Sequence, residues 1–147
     1  MNEIVSVIIP NYNGVDTIRR CIDSVQNQSY KNIEIIVIDS KSTDNSVEII
    51  KRGYSNVVLI ENPYNAGWGI ACNIGIREAK TDFVLILNPD VVLERNALEE
   101  IFLASSQLSN FSIIAPLEIK YPNYNISKNN RPNTQRKLQG VFKTNIS

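Results

Sequence analysis

Apolar and polar positions alternate along this chain in blocks rather than residue by residue. IVSVIIP (4–10), IEIIVID (33–39), VVLIEN (57–62), FVLILN (83–88) and FSIIAP (111–116) are short, nearly unbroken apolar runs. Runs of that length, bounded by turn residues, predict strands covered on both faces. Between them lie amphipathic segments. Residues 15–28 place Ile18, Cys21, Ile22 and Val25 at helical spacing, with Asp16 in the first turn where the helix dipole favours a negative charge. Residues 42–52 open on Ser42 and Thr43, natural N-caps, and continue as a helix. Residues 66–80 predict a helix despite their glycines, and 94–108 predict another.

This alternation implies an α/β fold: an open, mostly parallel, doubly wound sheet with right-handed crossovers and helices on both faces. No internal repeat is visible. One domain is expected over residues 1–120. From Tyr121 the chain is rich in Asn, Lys and Pro and poor in apolar residues, too little to offset its ordering entropy. Residues 121–147 therefore read as a polar basic tail, extended or partly disordered, with a short final strand near Val141-Phe142.

Charge and cysteine content narrow the function. Fifteen basic and fifteen acidic residues cancel, so total charge points to neither a nucleic acid nor a membrane partner. The distribution is uneven: residues 1–100 carry nine Lys and Arg against fourteen acids, and residues 101–147 six against one. The basic end could meet phosphates or the inner face of an anionic membrane; a solvated end of a domain is the plainer reading. Cys21 and Cys72 sit in helical patterns, and the chain has no histidine and no CxxC, which argues against a zinc site or a Cys/His nucleophile. Two cysteines make no disulfide framework, and MNEIVSVIIP does not read as a signal peptide, so a cytoplasmic setting is expected. The sequons at Asn27, Asn110, Asn125 and Asn145 then carry no weight.

In an open parallel sheet, ligands bind outside the carboxyl ends of the strands. Those ends are polar here: Pro10-Asn11-Tyr12-Asn13-Gly14, then Asp39-Ser40-Lys41-Ser42-Thr43-Asp44, then Glu61-Asn62-Pro63 with Tyr64-Asn65-Ala66-Gly67, then Asn88-Pro89-Asp90. Topology lines all four along one edge. An aromatic can stack on a base and a carboxylate can accept from base or ribose. Asn88 and Asp90, two apart, would point to one side of extended backbone, a hard donor pair suited to Mg²⁺ or Mn²⁺ beside a diphosphate. Each group also has a plainer reading. Asp39 could cap a helix, Asn88-Pro89-Asp90 could be a turn, Tyr12 a packed edge aromatic, and Gly67 and Gly69 aids to helix–strand packing. Neither GxGxxG after the first strand nor GxxxxGK[ST] occurs, which excludes a dinucleotide fingerprint and a P-loop. A receiver-like signalling domain is disfavoured by Asn62, where it would need a phosphorylatable Asp.

VSVIIPNYNG, IEIIVIDSKSTDNS, ENPYNAGWGIACNIGI and DFVLILNPDVVLERNALE, in that order, resemble the nucleotide-binding portion of family-2 glycosyltransferases of the GT-A fold, rhamnosyltransferase-like branch. The resemblance covers roughly residues 4–117. It implies transfer of a sugar from a nucleoside diphosphate-sugar, UDP- or dTDP-linked, to a saccharide or lipid-linked acceptor hydroxyl, inverting and metal-dependent, in bacterial surface polysaccharide synthesis. By position it implies a base pocket at Pro10, Asn11, Tyr12 and Asn13. Asp39 and Ser40 would lie at the base, with Asn65, Gly67 and Asn73 beside ribose and diphosphate. Asn88 and Asp90 would stand at the family's D-x-D, and Asp90 would hold a divalent cation, Mg²⁺ or Mn²⁺. The chain departs from the pattern at Asn88, at Cys72 where a basic residue is common, and in length: the only acid beyond residue 100 is Glu118, a poor candidate for general base. The chain thus reads as a donor-binding half lacking an acceptor half, to be completed by a homodimer or another partner. The alternative is a non-catalytic nucleotide-sugar-binding module without a general base.

Overall fold

The computed structural model describes residues 3–106, 113–114 and 141–143. Its elements run β1 (Val5–Asn11), α1 (Ile18–Gln26), β2 (Ile33–Asp39), α2 (Ser46–Gly53), β3 (Val57–Glu61), α3 (Gly67–Glu78), β4 (Phe83–Ile86), α4 (Ala97–Ser106), β5 (Ile113–Ile114) and β6 (Val141–Lys143). They form one sheet in the order β3-β2-β1-β4-β6-β5. β1 to β4 are mutually parallel, while β6 is antiparallel to both β4 and β5. The mostly parallel, doubly wound α/β fold expected from the sequence is the one observed. The expected final strand at Val141-Phe142 is β6. The rest of 121–147, Glu118 and the boundary at 120 lie outside the described residues.

The sheet is sandwiched because its strands are apolar on both sides. Val7, Ile9, Val37, Leu85 and Leu87 pack with α1, α2 and α4, whereas Ile8, Ile36, Ile38, Val84 and Ile86 pack with α3. Each fully buried side chain of this size contributes roughly 1.5–3 kcal/mol relative to exposure. Strand β3 lies at one edge of the sheet and is only partly covered. The Tyr30 ring stacks on Phe102 with centroids 4.8 Å apart, closing the α4 side of the core. Among the described residues no helix is long and apolar enough to cross a membrane.

Helices start later than their sequence signals. Ser42 and Thr43 do not cap α2, which begins at Ser46, because both are taken by contacts between loops. Similarly α4 starts at Ala97, not 94. The preceding turn is stitched to α1 by fully buried Gln28, whose Nε2 donates to Ser24 O and Glu94 O while its Oε1 accepts from Leu98 N.

The glycines of α3 divide the work differently from the packing expectation. A Cβ on Gly69 would meet nothing within 4 Å, and so would one on Gly67, whose φ of +74° is what needs glycine. Close approach is the task of Gly75, where a Cβ would fall 2.3 Å from Ile8 Cγ2. That contact sets α3 against β1.

Candidate functional site

Pairing registers place the strand ends side by side: Asn11 opposite Asp39, and Asp39 opposite Glu61. β1, β2 and β3 step outward in one direction, and β4 lies on the other side of β1. The order reverses between β1 and β4, so the crevice of an open α/β sheet opens there, flanked by Tyr12-Asn13-Gly14 and Asn88-Pro89-Asp90.

Beneath it sits a buried polar network. Asn11 and Asp39 are 1% and 2% exposed. The Asn11 Nδ2 group lies 2.8 Å from Asp39 Oδ1, 3.0 Å from Ser46 Oγ and 3.3 Å from Ser42 Oγ. Asp39 also accepts from Ser42 Oγ at Oδ1 and from Ser42 N, 2.9 Å away, at Oδ2. Buried carboxylates need such partners, since an unpaired charge out of water is costly. Both Asp39 oxygens are engaged, yet a carboxylate offers about four lone-pair sites, so Oδ2 keeps room for one further donor. Ser40 is buried beside it, and its N–H donates to Asn11 O. Pro10 is buried within β1.

The loops after β1 and β2 are laced together above this network. Asn13, at φ 50°, donates its N–H to Ser42 Oγ and accepts from Thr43 N at Oδ1. Asp44 accepts from Val15 N at Oδ2 and from Ser46 N at Oδ1, with the Ser46 hydroxyl also on Oδ1. Burial alone would raise the Asp44 carboxyl, but the hydrogen bonds from the Ser46 hydroxyl, Ser46 N–H and Val15 N–H outweigh it and hold it below its ordinary 3.8. Tyr12 stands on the rim, 50% exposed. It is no packed edge aromatic.

On the other flank the expectation of extended backbone at Asn88-Pro89-Asp90 is corrected. Val91 N donates to Asn88 O at 3.1 Å, closing a β-turn with Pro89 at its second position, where the ring's fixed φ suits it. The turn still belongs to the crevice. Cys21 Sγ approaches Asn88 O from α1 at 3.5 Å, and Trp68 Nε1 donates to Asn88 Oδ1 from α3 at 2.9 Å. Asp90 is exposed at the turn's tip. Asn65 is exposed, and its Oδ1 accepts from Gly67 N. Asn73 is exposed on α3, beside buried Cys72. The structure thus joins Asn11, Asn13, Asp39 and Ser40 in one network. Asn88 is tied to α3, and no hydrogen bond among the described residues links Asn65 or Asn73 to the rest. Trp68 was not singled out by the sequence reading. Its signal, the chain's single Trp placed between two glycines just after Asn65, is legible only in hindsight.

For a divalent cation, the described residues offer no cluster of three or more His, Cys, Asp or Glu. The donor set does fit a cation that arrives with phosphates, because Mg²⁺ and Mn²⁺ then need only one or two protein carboxylates, and Asp90 is exposed at the crevice. A shallow depression of about 290 Å³, lined by Gln26, Tyr30, Lys31 and Asn56 among others, opens instead near the start of β2. It holds no paired acids and lies at the amino edge, away from this chemistry.

Comparison with known proteins agrees with this geometry. The family model described as Glycosyl transferase family 2 matches residues 6–146. Poly(ribitol-phosphate) beta-glucosyltransferase of Bacillus spizizenii is 40% identical over 100 residues, which are 64% of this chain and 16% of that protein. Glycosyltransferase GlyG of Streptococcus pneumoniae is 33% identical over 105 residues, covering 69% of this chain and 35% of that protein. Among solved structures, S. aureus TarS 1-349 in complex with UDP-GlcNAc superposes with a TM-score of 0.65 at 26% identity, over 71% of this chain and 31% of that one. Mannosyltransferase PcManGT from Pyrobaculum calidifontis, in complex with GDP-Man and Mn²⁺, reaches 0.70 at 26% identity, over 83% of this chain and 37% of that one. The chain thus spans about a third or less of each of these four proteins. With its four ordered motifs, its parallel sheet and a family match along nearly its whole length, the chain belongs to glycosyl transferase family 2.

Proposed function

We propose that this chain is the donor-binding half of a glycosyltransferase, taking a nucleoside diphosphate-sugar in the crevice between the ends of β1 and β4. The observation that carries this reading is the lacing of Asn13 to Ser42 and Thr43 above the buried Asn11–Asp39 pair, which builds a rigid polar floor at the switch point of the sheet. Preorganised loops of this kind spare the ordering cost of binding.

In this reading Tyr12 stacks on the base, and the remaining lone pair of Asp39 Oδ2 accepts a base N–H. Pro10 and Asn11 fix the register of that loop, and Ser40 backs it from below. Asn65, Gly67 and Asn73 lie along the path of the ribose and diphosphate. Asp90 holds a Mg²⁺ or Mn²⁺ ion, which when bound neutralises diphosphate charge and so stabilises the leaving group. The names of two structural neighbours support a nucleotide-sugar: TarS is seen with UDP-GlcNAc and PcManGT with GDP-Man and Mn²⁺. For this chain the nucleotide is proposed to be UDP or dTDP. The acceptor is proposed to be a saccharide or lipid-linked hydroxyl of a cell-surface polysaccharide, and the place of work the inner side of the membrane.

A second reading is favoured by one observation. No acid occurs among the described residues beyond 100, and a general base must reach the attacking hydroxyl. In this reading, with Glu118 the single acid of the sequence beyond residue 100, the chain binds a nucleotide-sugar and transfer waits on a base from elsewhere. Calorimetry against UDP-, dTDP- and GDP-sugars, each with and without Mn²⁺, followed by a transfer assay on the sugar that binds, separates the two. Binding with transfer supports the enzyme, binding alone the module, and no binding removes both.

A further inference from the structure

Asn88 is held from three directions. Its main-chain oxygen receives Val91 N within the turn and the Cys21 thiol from α1, and its side-chain oxygen receives the Trp68 indole from α3. The indole N–H is a donor with no acceptor capacity, so the amide atom facing it has to be Oδ1. This settles which way the amide is turned. The Nδ2 amino group is then the end left over, and no described residue accepts from it. Helix α3 cannot easily yield, since Gly75 seats it against Ile8.

We propose that Trp68 is a positioning residue of the donor site, turning Asn88 from a cation ligand into a hydrogen-bond donor aimed at an anionic oxygen of the ligand. This rests on the donor-binding reading above and deepens it. An aspartate at position 88 would offer oxygens alone and would demand a cation before it tolerated a diphosphate nearby. Asparagine with its oxygen occupied by Trp68 instead offers N–H to the phosphate and leaves cation binding to Asp90. The site therefore keeps part of its diphosphate affinity when the metal is removed.

The test uses the full 147-residue chain with UDP, dTDP and GDP and the matching monophosphates, titrated with Mn²⁺ and with EDTA. Trp68→Phe keeps an aromatic ring, though a smaller one, and deletes the indole N–H, and with Trp68 45% exposed the change falls at the surface. It is expected to lower diphosphate affinity about fivefold, the order one hydrogen bond contributes, while leaving the monophosphate unchanged. Asn88→Asp is expected to abolish metal-free diphosphate binding and make binding fully dependent on Mn²⁺. A third readout needs no ligand: the single indole N–H resonance should move in Asn88→Ala. A Trp68→Phe variant that weakens monophosphate and diphosphate equally overturns the inference. So does Asn88→Asp with wild-type binding in EDTA, or an indole resonance that stays put. Those results come from variants of a chain that binds. A wild type that binds none of the nucleotides overturns the donor-binding reading itself, and this inference with it.

Discussion

Gly14→Ala should collapse the floor of the crevice. The residue sits at the end of the β1 loop, and a Cβ there would lie 2.2 Å from Asn11 Oδ1, an atom that is buried and has no hydrogen-bond partner. Ordinary contact needs more than 3 Å, so the amide has to move by about 1 Å or more. It has nowhere to go, because Asn11, Asp39 and Ser46 are each at most 2% exposed. Displacement costs the hydrogen bond to the Asp39 carboxylate, worth about 1.5–3 kcal/mol, and weakens the shared bonds to Ser46 and Ser42, worth about 1 kcal/mol more. A loss of about 3 kcal/mol is expected, which for a chain of this size lowers Tm by roughly 10 °C. Urea unfolding followed by circular dichroism measures it. The control is Asn11→Ala, which removes the obstructed amide; in that background Gly14→Ala should add less than about 0.5 kcal/mol. A cost below 0.5 kcal/mol in the wild-type background would refute the reasoning. So would an equal cost in both backgrounds, since the effect would then not pass through Asn11.

Gly75→Ala drives a methyl into Ile8 and should cost about 1–3 kcal/mol by urea unfolding, despite alanine's better helix propensity; a stabilised variant would show that α3 is not seated on β1. Burial pushes the Cys21 thiol up to about 12 and that of Cys72 to about 11, so the folded chain should give no rapid reaction with a disulfide reagent at pH 8 until denaturant is added; a fast native thiol contradicts this placement. The Asp44 carboxyl lies below its ordinary 3.8 in the folded chain, so the unfolded chain binds that proton more readily. Its contribution is fully present above about pH 4 and is lost as pH falls through the lower folded value. Asp44→Asn should therefore flatten the acid limb of a stability–pH profile below pH 4, and an unchanged limb would remove Asp44 as its source.

Much of the fold was legible because burial on both sheet faces leaves unbroken apolar runs. β2 runs over 33–39 as expected, and all four parallel strand ends lie on one edge. Helix starts were less legible, because Ser42 and Thr43 carry the same signal whether they cap a helix or lace two loops. Only the tertiary contact with Asn13 decides which. Pro89 illustrates the same limit. Its sequence context suits an extended tip and a turn alike, and the bond from Val91 to Asn88 selects the turn. Trp68 was missed for a related reason. An aromatic in a helical stretch reads as core, and its role depends on a hydrogen bond to a residue twenty positions away. Gly75, likewise, is distinguished from Gly67 and Gly69 by what lies opposite it in β1, which no local pattern encodes.

Calorimetry of UDP and dTDP binding to the wild type and to Asp90→Ala, with Mn²⁺ and with EDTA, tests the central claim most directly. Wild-type chain is predicted to bind more tightly when Mn²⁺ is present, and Asp90→Ala to lose that increment while its unfolding profile stays the same. A wild type indifferent to both nucleotides, or an Asp90→Ala variant with the full Mn²⁺ response, would contradict a nucleotide crevice built on the ends of β1 and β4.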